Sequence, residues 1–162
     1  MKVFVPNRQQ AGQTLIETAL VLFLILMILL GVSEFSRLWF AKNSLKNAAR
    51  SGVRLAVVTQ ISAFPTEFSS VTPPPFDTDV EFECPNANLI INTVCTSPGV
   101  KNTSDTHVIL RLVDEDTFNT FNAGDTITVT VTRVNFKAIV PGFFRLVIPS
   151  KFSGDSSMRR EI

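Results

Sequence analysis

Glu17 is the one ionisable side chain in GQTLIETALVLFLILMILLGVS, residues 12–33. A carboxylate inside hydrocarbon is costly at mid-bilayer and less so near the edge, so such a residue either sits in the interface or has a function. A second candidate is the pair Cys84 and Cys95. In an exported domain they would close a short disulfide loop; in a cytosolic one they would be two buried thiols. A bridge of this kind contributes on the order of 3 kcal/mol. Ser104, Asp105 and His107 are neighbours in sequence, but a catalytic triad is defined by geometry rather than adjacency. His107 is the only histidine, and with two cysteines it fits no common zinc spacing. Asp114, Glu115 and Asp116 offer oxygens to a cation, and a solvated turn is the better account of them. Asn102-Thr103-Ser104 matches a glycosylation sequon, a pattern with many false positives. These residues point to no active site, and the expectation is a non-enzymatic chain with no metal and no cofactor.

The elements that must position Glu17 and the cysteines are legible from periodicity. Thr18–Ser33 is sixteen residues without a charge, and Gln13–Ser33 is twenty-one with Glu17 alone. At about 1.5 Å per helical residue the longer run is about enough to cross a hydrocarbon core of roughly 30 Å. The run continues without a breaker into SEFSRLWFAKNSLKNAARSGVRLAVV. There Leu38, Leu45, Ala49, Gly52 and Ala56 recur at helical spacing and predict one buried face. Lys42, Lys46, Arg50 and Arg54 follow at strict four-residue intervals, which costs an isolated helix a few tenths of a kcal/mol per pair unless something compensates. One helix is expected from about Thr14 to Thr59.

Prolines 65 and 73–75 mark a stiff linker, after which the period changes to two. VEFEC (80–84), LIINTVC (89–95), HVILRLV (107–113) and TITVTVTRVNF (126–136) read as strands, with a last strand over 151–159. DEDTFNTF (114–121) is expected as a helical turn, and IVPGFF (139–144) as a Pro-Gly interruption. The fold class is therefore α+β: a long N-terminal helix whose amphipathic half covers one face of a small antiparallel β-sheet head. The expected organisation is a leader at 1–12, a transmembrane or assembly helix at 13–33, its amphipathic continuation at 34–59, a Pro-rich linker at 60–76, and a β head at 77–162.

Charge separates along the same lines. Residues 34–58 carry a net +4 and residues 66–116 a net −7, which the overall +1 conceals. Such a partition hints at docking of Lys42, Lys46, Arg50 and Arg54 on the acidic surface of a neighbouring subunit. It argues against a nucleic-acid module, whose basic face would dominate.

Gly12, followed by Gln13-Thr14-Leu15-Ile16-Glu17 and an unbroken apolar helix, with Lys2 and Arg8 upstream, resembles the class III leader of type IV pilins and pseudopilins. Gly31, Glu34-Phe35, Asn47-Ala48-Ala49-Arg50, Gly52, Arg54 and Ala56 further resemble the TadE-like pseudopilins of tight-adherence (Tad, type IVc) pilus systems, as does the close Met158-Arg159-Arg160-Glu161. Thr18 departs from the family, which usually has an aromatic residue there. The resemblance implies a pilin-like fold and cleavage between Gly12 and Gln13 by a membrane prepilin peptidase. It also gives Glu17 a role in assembly: the carboxylate neutralises the α-amine of Gln13 on another copy, so that each charge offsets the other's desolvation. The implied partners are the bacterial inner membrane, other pilin and pseudopilin subunits, and the Tad assembly machinery, in service of surface adherence. Basic residues are denser after the apolar run than before it, which by the positive-inside rule would hold the head in the cytoplasm. The resemblance and the cysteines favour export, with the basic row belonging to a helix that packs against protein. A signal-anchored periplasmic binding module and a type II secretion pseudopilin are the alternative expectations, as is a secreted β domain cut after Ser33.

Overall fold

A computed structural model describes residues 8–70, 74, 76–115, 123–136 and 150–161, with side chains from Gly12 onward. The leader expected at 1–12 falls largely outside the described residues, as does IVPGFF, and DEDTFNTF is described only at Asp114 and Glu115. The chain divides into two compact units, the first ending at Leu38 and the second beginning at Trp39.

Helix α1 runs Arg8–Val58, starting earlier than the sequence pattern suggests. In the first unit it is the sole described element. In the second unit α1 supplies a strip of mostly small side chains to the core: Ala41, Ser44, Leu45, Ala48, Ala49, Val53 and Ala56 are buried. These positions repeat at three and four residues, the spacing of one helical face. The strip expected from the sequence is thus real, although Leu38 is only half-buried.

The head is a four-stranded antiparallel sheet in the order β1-β2-β3-β4, with β1 at Val80–Glu83, β2 at Thr106–Val113, β3 at Thr126–Arg133 and β4 at Phe152–Arg159. Alternation fixes its register. Val108, Leu110 and Leu112 of β2 and Ile127, Val129 and Val131 of β3 are fully buried on one face, with Leu110 opposite Val129 and Leu112 opposite Ile127. A slip of one residue would turn all six to the other face. Phe82 of β1 joins the same core opposite Val108.

LIINTVC is not a strand. Leu89–Cys95 is a helix, α3, set in the connection between β1 and β2. Its β-branched residues favour the strand reading, but tertiary context overrides so weak a propensity. Asn88 starts the helix: its side chain accepts a hydrogen bond from the Ile90 amide at 3.0 Å, satisfying an otherwise open donor. Ile90, Ile91, Val94 and Cys95 are buried, a helical rather than a two-residue spacing. Within the segment expected as linker, Ile61–Ala63 forms a 3₁₀ turn and Thr66–Ser69 a short helix, α2. Phe64 and Phe68 from this segment are buried in the core, their rings edge-to-face at 6.3 Å.

Three glycines define how closely these layers approach. A Cβ on Gly52 of α1 would lie 2.4 Å from Val94 Cγ2 of α3 and 3.4 Å from Val129 Cγ1 of β3. A Cβ on Gly154 of β4 would lie 2.5 Å from the Lys46 amide nitrogen and 2.7 Å from the Leu45 carbonyl carbon. The edge strand therefore rests on the backbone of α1 itself. Gly99, at φ +82°, brings the loop after α3 against the side chain of Ser44.

The candidate assembly helix

Gly12, Gln13 and Glu17 are exposed on the first unit, and nothing lies within 4 Å of where a Gly12 Cβ would sit. Glu17 stands one helical turn beyond Gln13, so the two share a face of α1. Around them the helix buries nothing in its own chain. Thirteen large apolar side chains between Leu15 and Val32 are exposed, among them Ile16 at 72% and Phe23 at 65%. At about 1.5–3 kcal/mol for each such side chain, removing them from water is worth about 20 kcal/mol or more. That exceeds the whole net stability of a typical domain, about 5–15 kcal/mol. By length and composition this helix is apolar enough to cross a membrane.

The polar groups of the run are compatible with lipid. Thr18 Oγ1 donates within the helix to Thr14 O at 2.9 Å and to Leu15 O at 3.0 Å. Its hydroxyl is therefore satisfied within the helix, as a polar group in an apolar setting requires. Ser36 Oγ likewise donates to Val32 O at 2.8 Å. Glu34 is buried, and its Oε2 accepts from Arg37 Nη1 at 2.9 Å, an ion pair one turn apart. Phe35 on the first unit is exposed, as are Trp39 and Phe40 at the start of the second. Large aromatics past the end of an apolar span are typical of the membrane–water interface. Sequence reasoning treats Phe35 only as a motif position and passes over Trp39 and Phe40, although their place at the end of the run is signal enough.

Lys42, Lys46, Arg50 and Arg54 are all exposed, and among the described residues no carboxylate lies within ion-pair distance of them. Cys84 and Cys95 form a disulfide with Cα atoms 5.8 Å apart, joining the end of β1 to the end of α3. Of the other residues weighed for chemistry, His107 Nδ1 lies 2.9 Å from Glu81 Oε1 on the neighbouring strand. Asp105 Oδ1 accepts a hydrogen bond from Asn135 Nδ2 at 2.9 Å. Ser104 is exposed in the same turn. Asp114 is half-buried and Glu115 exposed, while Asp116 lies outside the described residues. Among the described residues no three His, Cys, Asp or Glu side chains are grouped to hold a metal ion.

Among the described residues one helix is long and apolar enough to cross a membrane, and the second unit holds a four-stranded antiparallel sheet. Residues 12–54 match the family model described as TadE-like protein, the same segment that carries the sequence resemblance. Over that segment the chain is similar to TadE-like proteins. Comparisons with curated proteins and with solved structures found no match.

Proposed function

We propose that this chain is a minor pilin or pseudopilin of a Tad-type pilus, with a structural rather than an enzymatic role in initiating, capping or modifying the fibre for surface adherence. It is made as a single-pass inner-membrane precursor with the head on the periplasmic side. Prepilin peptidase trims it between Gly12 and Gln13, and it assembles through the apolar half of α1. The observation that carries this reading is a helix with no burial in its own chain from Leu15 to Ile25, inside a TadE-like match that begins at Gly12. Once trimmed, the chain bears a cationic α-amine at Gln13. A carboxylate at Glu17 of a neighbouring copy neutralises it, since either charge alone resists leaving water.

The N-terminus of the protein taken from its native membrane tests the proposal. A start at Gln13 supports it. A start at Met1 in cells with an active prepilin peptidase would leave a signal-anchored binding module as the better account. A start at Glu34 would indicate a secreted head.

A further inference from the structure

The head carries two exposed rows of opposite charge, an acidic one on β1 and a basic one on α1. On β1, Glu81 and Glu83 point away from the core residues Val80 and Phe82, and Asp79 continues their two-residue alternation just before the strand. All three acids are exposed and stand about 7 Å apart along the chain. At the other end of the sheet, β4 lies against the α1 backbone at Leu45 and Lys46. From that flank Lys42, Lys46, Arg50 and Arg54 climb α1 at about 6 Å per step, each step turning about 40° further around the helix. The two rows are nearly commensurate in spacing. One row lies on the edge strand β1 and the other on the helix packed against β4, and among the described residues no ion pair joins them within one copy.

We propose that a second copy of this chain occupies the basic row, the α1 flank of one head lying along the β1 edge of the next. The contact joins different patches of the two copies, so it propagates rather than closing as a two-fold dimer. It supplies the compensation that four like charges at four-residue spacing call for. This inference rests on the reading that the chain assembles, and it names the head surface involved.

Zero-length carbodiimide coupling of the full chain in its native membrane tests it. The expected product is a ladder of multimers in which Lys42 or Lys46 is joined by an amide to Asp79, Glu81 or Glu83. K46E/R50E is expected to lower coupling through Lys42 by about tenfold, because like charges are then juxtaposed across the contact. E81K/E83K alone is expected to do the same, and co-expression of the two variants to restore the ladder. The wild-type cross-links are a readout that does not depend on either variant folding. Multimers lacking these linkages overturn the proposal, as does Lys42 or Lys46 coupled only to a different protein. A row engaged by anionic lipid instead would give no protein cross-link and would also overturn it. A chain that starts at Gln13 yet shows none of these linkages overturns the docking while leaving assembly through α1 standing.

Discussion

Replacing Gly154 by alanine tests how the head grips its helix. The added methyl would fall 2.5 Å from the Lys46 nitrogen, 2.7 Å from the Leu45 carbonyl carbon and 2.8 Å from the Lys46 Cα. Comfortable carbon contacts are about 3.5–4 Å, so β4 or α1 must retreat by about 1 Å. Every atom in the way is backbone, and no side-chain rotation relieves the clash. Overpacking usually costs about 1–3 kcal/mol, and a buried site that cannot yield belongs at the upper end, about 3 kcal/mol. Retreat of the strand would also loosen the register that sets Gly154 opposite Val131. Amide hydrogen exchange of the full chain in detergent reads the effect in the head alone. Core amides of β2 and β3 that exchange through global opening are expected to lose about a hundredfold in protection, at tenfold for each ~1.4 kcal/mol. Ser153→Ala, exposed beside it on β4, is the control and is expected to stay within about 0.5 kcal/mol of the parent. Protection in G154A that matches the control would refute the close backbone approach.

Three further outcomes follow from the same geometry. Glu17→Gln is expected to leave insertion and trimming intact while incorporation into multimers or pili drops at least tenfold, as one uncompensated α-amine is then left without its carboxylate; normal incorporation would remove Glu17 from assembly. Cys84→Ser with Cys95→Ser opens a bridge between residues 11 apart and is expected to cost about 3 kcal/mol, seen as a lowered melting temperature that reductant reproduces in the parent protein. Asn88→Ala removes both the α3 cap and the Nδ2 hydrogen bond to Ala63 O at 3.0 Å; a loss of about 1 kcal/mol is expected, read as faster exchange of the Ile90 amide, and unchanged exchange would contradict the cap.

Elements with long, uniform periods are legible in the amino-acid pattern alone. The helix, β2 and β3 each hold a period over eight or more residues, and the helix's buried strip falls where Leu45, Ala49, Gly52 and Ala56 place it. Leu89–Cys95 is not legible as a helix because seven residues support either period, and Ile, Ile, Thr and Val tilt the choice toward strand. The deciding signal is Asn88, a helix-starting residue hidden in a stretch that also reads as a turn. Phe64 and Phe68 are similarly masked by the prolines around them, although their four-residue spacing is helical. At the candidate site, Glu17 stands out because a charge in an apolar run is a chemical contradiction. The glycine contacts cannot be read from sequence at all, since what a missing Cβ would strike depends on distant chain.

The two stretches of α1 solve opposite problems with opposite side chains. Before Ser33 the helix presents large apolar groups around its circumference and buries almost none of them in its own chain. Beyond Trp39 its inward face is chiefly Ala41, Ser44, Ala48, Ala49, Gly52 and Ala56, small enough for β4 and α3 to approach the backbone. Large groups maximise what an external partner can cover, whereas small ones trade side-chain area for proximity within the chain. The same kind of change should therefore fail differently in the two halves. Leucine in place of Ala49 would overfill a site that is fully buried. Alanine in place of Leu24, 58% exposed, removes no contact that the head relies on, so the head is expected to keep its stability. A head destabilised by the second change, or unaffected by the first, would contradict this division of labour along a single helix.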